Sequence, residues 1–129
     1  MAEGLSAYLG NKWLQMLGGT AFTAPGAVYL GLHTGNPGAS GTSAVSSVTT
    51  RMAVTWGTAA AGAVAESNTP TWSSWAGTNG EVVTDISAWD ASTSGNFLFS
   101  ALLAASKTMA TGDTIEITSL SVSYSPIAA

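Results

Sequence analysis

Residues 82–104 read VVTDISAWDASTSGNFLFSALLA, and the order of residue types in them decides the fold class. Two runs rich in Val, Ile, Trp, Phe and Leu, 82–89 and 97–104, flank ASTSGN at 91–96, a cluster of small turn formers. β-Branched and aromatic residues pack well on a pleated surface, whereas Gly, Asn and Ser favour turns, so this is strand, turn, strand. Val82, Ile86 and Trp89 are the expected anchors of the first strand. Downstream, a link at 106–113 (SKTMATGD) leads to a third strand over 114–124. Its Ile115 and Ile117 alternate with polar residues before the phase flips to Leu120, Val122 and Tyr124. Side chains alternate faces with period two, so the flip predicts a β-bulge near Ser119 or Leu120.

The same alternation continues upstream. Residues 27–34 (AVYLGLHT) set Val28, Leu30 and Leu32 against Tyr29, Gly31 and His33. Residues 51–56 place Met52, Val54 and Trp56 on one face of a further strand. Residues 59–65 are small and read as a close-packed strand or a turn, and 71–75 is short with turn formers on both sides. Residues 35–47 (GNPGASGTSAVSS) lie in a Gly/Ser loop, about 35–50, that is too polar and flexible to join a core. Only residues 5–17 (LSAYLGNKWLQML) carry helical spacing. Leu5, Tyr8, Leu9, Trp13, Met16 and Leu17 recur at intervals of three and four, with Ser6 as N-cap and Gly18-Gly19 as the stop. Gly10 and Asn11 weaken this helix, so tertiary packing must hold it. Its apolar face is expected to dock on the domain's own sheet, with a face offered to a partner as the alternative. No internal repeat is evident. The fold expected is mainly β, an antiparallel β-sandwich or barrel with one short N-terminal helix, forming a single domain over 1–129.

Composition narrows the function. The basic residues are Lys12, Arg51 and Lys107; there is one histidine, no cysteine, and five tryptophans. Charged residues make up 8% of the chain, against about 25% in ordinary soluble domains. A net charge of −4 and three scattered cations cannot build the basic groove that tracks a nucleic-acid backbone. No apolar run approaches the roughly 18 residues that cross a bilayer. Residues 1–17 lack the basic start and continuous apolar run of a signal peptide. The absence of cysteine removes disulfides and thiolate metal sites. An exterior so poor in charge is the kind that other protein copies cover.

The chemistry-bearing residues give no catalytic pattern. His33 would need an oriented partner and a nucleophile to act as a base, and it reads instead as a surface or hydrogen-bonded histidine. Asp85 and Asp90 could be weighed as a glycosidase-type pair, but Asp90 opens the turn at 90–93, and Asp113 occupies another turn. The seven acids are dispersed rather than clustered as calcium requires. The glycine-rich stretch at 35–38 lacks the Lys-Ser/Thr and the helix of a phosphate loop. No catalytic, cofactor-binding or metal-ligating residues are therefore expected, and no cofactor. Trp13 and Trp56 fit apolar faces and are assigned to the core. Trp72 and Trp75 sit in a polar, turn-rich stretch and cannot both point inward from an alternating strand. They are expected at an interface, with core packing and a sugar-stacking platform as alternatives. Trp72, Trp75, Trp89 and Tyr8 form the candidate interface set.

Three stretches together resemble a known family. Residues 5–34 (LSAYLGNKWLQMLGGTAFTAPGAVYLGLHT) give a short helix, a Gly-Gly stop, an aromatic-Thr-Ala-Pro turn and a strand ending in His-Thr. Residues 51–56 (RMAVTW) and 86–117 (ISAWDASTSGNFLFSALLAASKTMATGDTIEI) follow in the same order. This series resembles the small structural proteins of tailed bacteriophages of actinobacterial type, often labelled tail fibre, minor structural or capsid decoration proteins. It departs before Arg51, where Ser46 to Thr50 stand in place of a Gly-Gly-Tyr-like turn. The resemblance implies a non-enzymatic virion protein, made in the host cytoplasm. Within that class the expectation is a capsid decoration (cement) protein on the outer head surface. It would be a homo-oligomer, with a trimer as one form, bound to the major capsid protein and stabilising the shell by protein-protein contact. Alternatives are a tail-associated module bound to tail proteins, or a carbohydrate-binding module at the host surface.

Overall fold

The computed structural model describes residues 3–124, so the first two and last five residues of the expected domain lie outside the described residues. The chain runs through α1 (Ala7–Leu17), β1 (Val28–His33), β2 (Met52–Val54), β3 (Ala63–Ala65), β4 (Thr71–Trp72), β5 (Glu81–Trp89), β6 (Phe97–Met109), β7 (Ile115–Glu116) and β8 (Ser121–Ser123). It is mainly β and antiparallel, with one short helix at the N-terminal end, as the residue patterns predict.

The β5–β6 hairpin is the spine. Its turn closes because Asp90 accepts from the Asn96 backbone N–H at 2.7 Å and from the Asn96 side-chain amide at 2.8 Å. A Cβ on Gly95 would stand 2.5 Å from Asp90 Oδ1, so the chain can return this closely only through glycine at φ 78°. Asp113 plays the expected turn role as well, accepting from Ala110 N at 2.9 Å. Beyond the turn β6 is longer than its sequence suggests. Lys107, Thr108 and Met109, expected in a link, pair with Val83, Val82 and Glu81. From Lys107 to Leu102 β6 takes five steps while β5 takes two, from Val83 to Asp85. Past this irregularity Val83 is the buried anchor and Val82 is exposed, the reverse of the expectation for Val82.

A four-stranded sheet in the order β2-β1-β5-β6 forms around that hairpin, and β3–β8 and β4–β7 form two short antiparallel ribbons. Leu30 and Leu32 of β1 face the same side as their partners Ala88 and Ile86. They join Val54, Trp72, Val83, Met109, Ile115, Ile117 and Leu120 in one core shared by the sheet and the ribbon segments. The phase flip in 114–124 has a different cause from the bulge expected near Ser119 or Leu120. The chain leaves β7, paired with β4, and enters β8, paired with β3, so the change of phase is a change of partner. Ile117 and Leu120 are both buried across that switch.

The loop at 35–50 also differs from its expectation. Pro37 and Ser46 are buried, Ser46 N donates to Leu32 O at 3.0 Å, and Thr34 N donates to Ala44 O at 2.8 Å. Gly41, at φ 73°, lies so close to Phe97 that a Cβ would stand 2.5 Å from the ring. A polar loop can be buried once its backbone groups find partners, and this one folds over the second face of β1 and β5.

Helix α1 starts as predicted, with Ser6 Oγ accepting from Leu9 N at 3.1 Å, and it stops at Gly18 and Gly19. Its expected docking is partial: Leu9 joins the core and Tyr8 packs against it, but the outer half does not follow. Leu9 is the buried residue of the helix, whereas Leu5, Trp13, Leu14, Met16 and Leu17 are exposed. The reason lies at the sheet edge: Ser6 N donates to Leu98 O and Ser100 N donates to Gly4 O, pinning the entry of α1 to β6. From that edge the helix runs off the sheet, and Trp13 is corrected from core to surface. Trp56 is half-buried against the core, 6.4 Å from the ring of Phe99.

Candidate functional site

The face of β1 and β5 opposite the core carries the strongest concentration of polar chemistry. Register places His33 across from Asp85 and Gly31 across from Ser87. Trp89 Nε1 donates to Ser87 Oγ at 2.8 Å, and Ser87 Oγ lies 2.8 Å from His33 Nε2. His33 Nδ1 stands 2.8 Å from the Ser43 carbonyl, which can only accept, so Nδ1 carries the proton. Nε2 is then free to accept the Ser87 hydroxyl proton, and the indole, hydroxyl and imidazole form a chain with every partner satisfied. Burial lowers the His33 pKa from its ordinary value, which favours the neutral ring. A serine on a histidine nitrogen is also how a nucleophile is activated. Here Ser87 is 1% and His33 2% exposed, and the hydroxyl already holds the Trp89 N–H. In this geometry the Ser87 hydroxyl is engaged on both sides, by the indole and by the imidazole. Of the two readings of His33, the hydrogen-bonded one holds and the surface one does not.

Next to this chain lies a second group that sequence reasoning missed. Glu3 Oε1 accepts from Asn36 Nδ2 at 2.9 Å, and the Glu3 carboxyl sits beside buried Asp85, which also takes the Thr84 hydroxyl. Burial, then the hydrogen bond and charge of Asp85, push the Glu3 pKa up to about 7. The partner of Asp85 is therefore Glu3 rather than Asp90. No local signal marks an acid three residues into the chain as a neighbour of β5; only the fold brings them together.

The three cations are held within the chain. Arg51 donates to Ala91 O at 2.9 Å and Ser94 O at 2.8 Å, with its guanidinium 3.9 Å from the centre of the Trp89 ring. Lys107 donates to Thr114 O at 2.6 Å, and Lys12 lies 5.7 Å from the Tyr8 ring centre. Among the described residues no three His, Asp or Glu side chains are grouped to hold a metal. No helix of the described residues is long and apolar enough to cross a membrane.

The indoles expected at an interface lie inside. Trp72 and Trp75 are each 2% exposed, and Trp89 is 7% exposed. Strand alternation argued that Trp72 and Trp75 could not both point inward, but β4 ends at Trp72. Ser74 then takes φ 53°, which turns the chain and returns Trp75 to the core. Trp72 Nε1 donates to Thr50 O at 2.8 Å and Trp75 Nε1 to Thr78 O at 3.2 Å, so both are satisfied core residues. Sugar stacking needs an exposed ring face, and this pair offers none. Trp89 is covered by Arg51 and lies 5.4 Å from Phe97. Of the candidate set Tyr8 alone is half-exposed, beneath Lys12.

The surface feature that remains is apolar. Leu14 is 65% and Leu17 85% exposed on the outer half of α1. Beside them a groove of about 420 Å³ opens between α1 and the β3–β8 ribbon, lined by Leu5, Trp13, Ala60, Ala63, Val122 and Tyr124 among others. No charged side chain lines it. Its helical half was legible as an apolar stripe, but the direction of that stripe was not.

No curated protein matches the chain. The model of the family described as Podophage GP4 fiber I protein gp80 matches residues 4–125, nearly the whole length. The chain therefore belongs to the Podophage GP4 fiber I protein gp80 family, a family of phage fibre-type structural proteins.

Proposed function

We propose that this chain is a non-enzymatic module of a virion fibre, associated with the tail and working through protein-protein contact. The family description favours a fibre, and the exposed, uncharged face of α1 supplies the means of contact. Apolar area of this kind on a chain with so few charges is the signature of a surface destined for cover. Antibody-gold labelling of particles tests the reading. Label confined to the tail or its appendages supports it, and label spread over the head shell overturns it.

A capsid decoration role is the second reading, favoured by the low charge of the exterior as a whole. Under it, heads stripped of this protein lose resistance to heat and osmotic shock, and adding the protein back restores it. Unchanged resistance removes that reading. In either role the chain acts in several identical copies.

A further inference from the structure

We propose that the outer half of α1 and the groove beside it form a self-association surface, in which Leu14 and Leu17 of one copy enter the groove of a second copy. This rests on the multi-copy reading above and adds the surface that carries it. The argument starts from helix physics. An isolated helix of 11 residues is marginal in water even with a favourable sequence, and α1 carries Gly10 and Asn11 in its interior. Its own domain buries Leu9 and leaves every residue from Trp13 to Leu17 exposed. Among the described residues nothing packs over that outer half.

Three observations favour a second copy as that cover. The patch holds both halves of a contact: protruding leucines on the helix and, next to them, a hollow floored by small residues of the 59–63 turn. Such adjacency lets the same surface serve on each partner of a symmetric pair. Its size fits as well. Leu5, Trp13, Leu14, Leu17 and Tyr124 are each 42% to 85% exposed. Side chains of this bulk leave on the order of 700 Å² uncovered, close to the ~800 Å² that each partner buries in a stable complex. Charge decides between surfaces. With net charge −4, most ways of apposing two copies set acid against acid. Neither α1 nor the groove lining contains an acid, and Lys12, the one charge on the helix, is turned to Tyr8.

Sedimentation of the full chain at micromolar concentration tests this, alongside Leu14→Gln/Leu17→Gln and, on the other side of the contact, Ala60→Arg. All three positions are exposed, so circular dichroism should be unchanged in each variant. The expected result is an oligomer for the parent chain and a 12.9 kDa monomer for both variants. A parent oligomer that persists in both variants overturns this surface while leaving the multi-copy reading intact. A parent chain that is monomeric throughout overturns both. Loss of association only on removing residues 125–129 assigns the contact to that segment instead and also overturns the proposal.

Discussion

Ser87 shows how far a single hydroxyl can be committed to structure. It takes the Trp89 indole proton and gives its own to His33, so Ser87→Ala leaves a buried indole N–H and a buried imidazole nitrogen without partners. The expected loss is about 1–3 kcal/mol, read as a lower denaturant midpoint with an unchanged slope. Trp72→Ala is expected to cost more, ~3–5 kcal/mol, because it opens a cavity in the core. A surface tryptophan would lose little stability, so the size of this loss separates core from interface. Titration gives two opposite signs. His33 is held below its ordinary value of 6.5, so its contribution is complete above pH 6.5 and falls as the pH drops below it. Glu3 is raised from 4.5 to about 7, so its contribution is complete below pH 4.5 and is lost as the pH rises through 7. Glu3→Gln keeps a neutral group beside Asp85 at every pH. The variant should therefore match the parent near pH 4.5 and exceed it in denaturant midpoint at pH 8; equal midpoints at pH 8 would contradict the pairing.

Among the elements, those with strict period-two patterning were legible and those set by backbone conformation were not. The alternation of Leu30 and Leu32 placed β1 on the core correctly, whereas of the anchors expected in β5 Ile86 joins that core and Val82 does not. The turn at 90–96 followed from residue type alone. Trp75 escaped because one left-handed serine, Ser74, reverses the face that alternation assigns, and no residue pattern announces a serine in that conformation. The switch of 114–124 between two ribbons was visible as a phase flip, although a flip cannot distinguish a bulge from a change of partner. Helix α1 was legible in extent and caps, and only its inner half in orientation, because periodicity reports that a face is apolar without saying how far along it a partner extends. Ser6→Ala should reduce stability by about 1 kcal/mol through loss of the cap, measured by urea denaturation. No change there would mean that the edge bonds of residues 4–6 to β6 alone position the helix.

The candidate site as a whole belongs to the molecule rather than to any motif. Trp72 and Trp75, expected at an interface, build the core, and the cations that might have drawn an acidic partner are spent on carbonyl groups and rings. The low charge signalled a covered exterior without locating the cover. Placement of α1 at the sheet edge, which needs the three-dimensional fold, supplies the location. The family match agrees with the phage structural resemblance of residues 5–34, 51–56 and 86–117. A reconstruction of the intact particle at side-chain resolution tests the central claim most directly. The account predicts several copies of the chain on a tail fibre, with Leu14 and Leu17 of each seated against Trp13 and Ala60 of a neighbour and Trp72 and Trp75 enclosed within each copy. Copies whose α1 faces solvent, joined instead through some other surface, would contradict it.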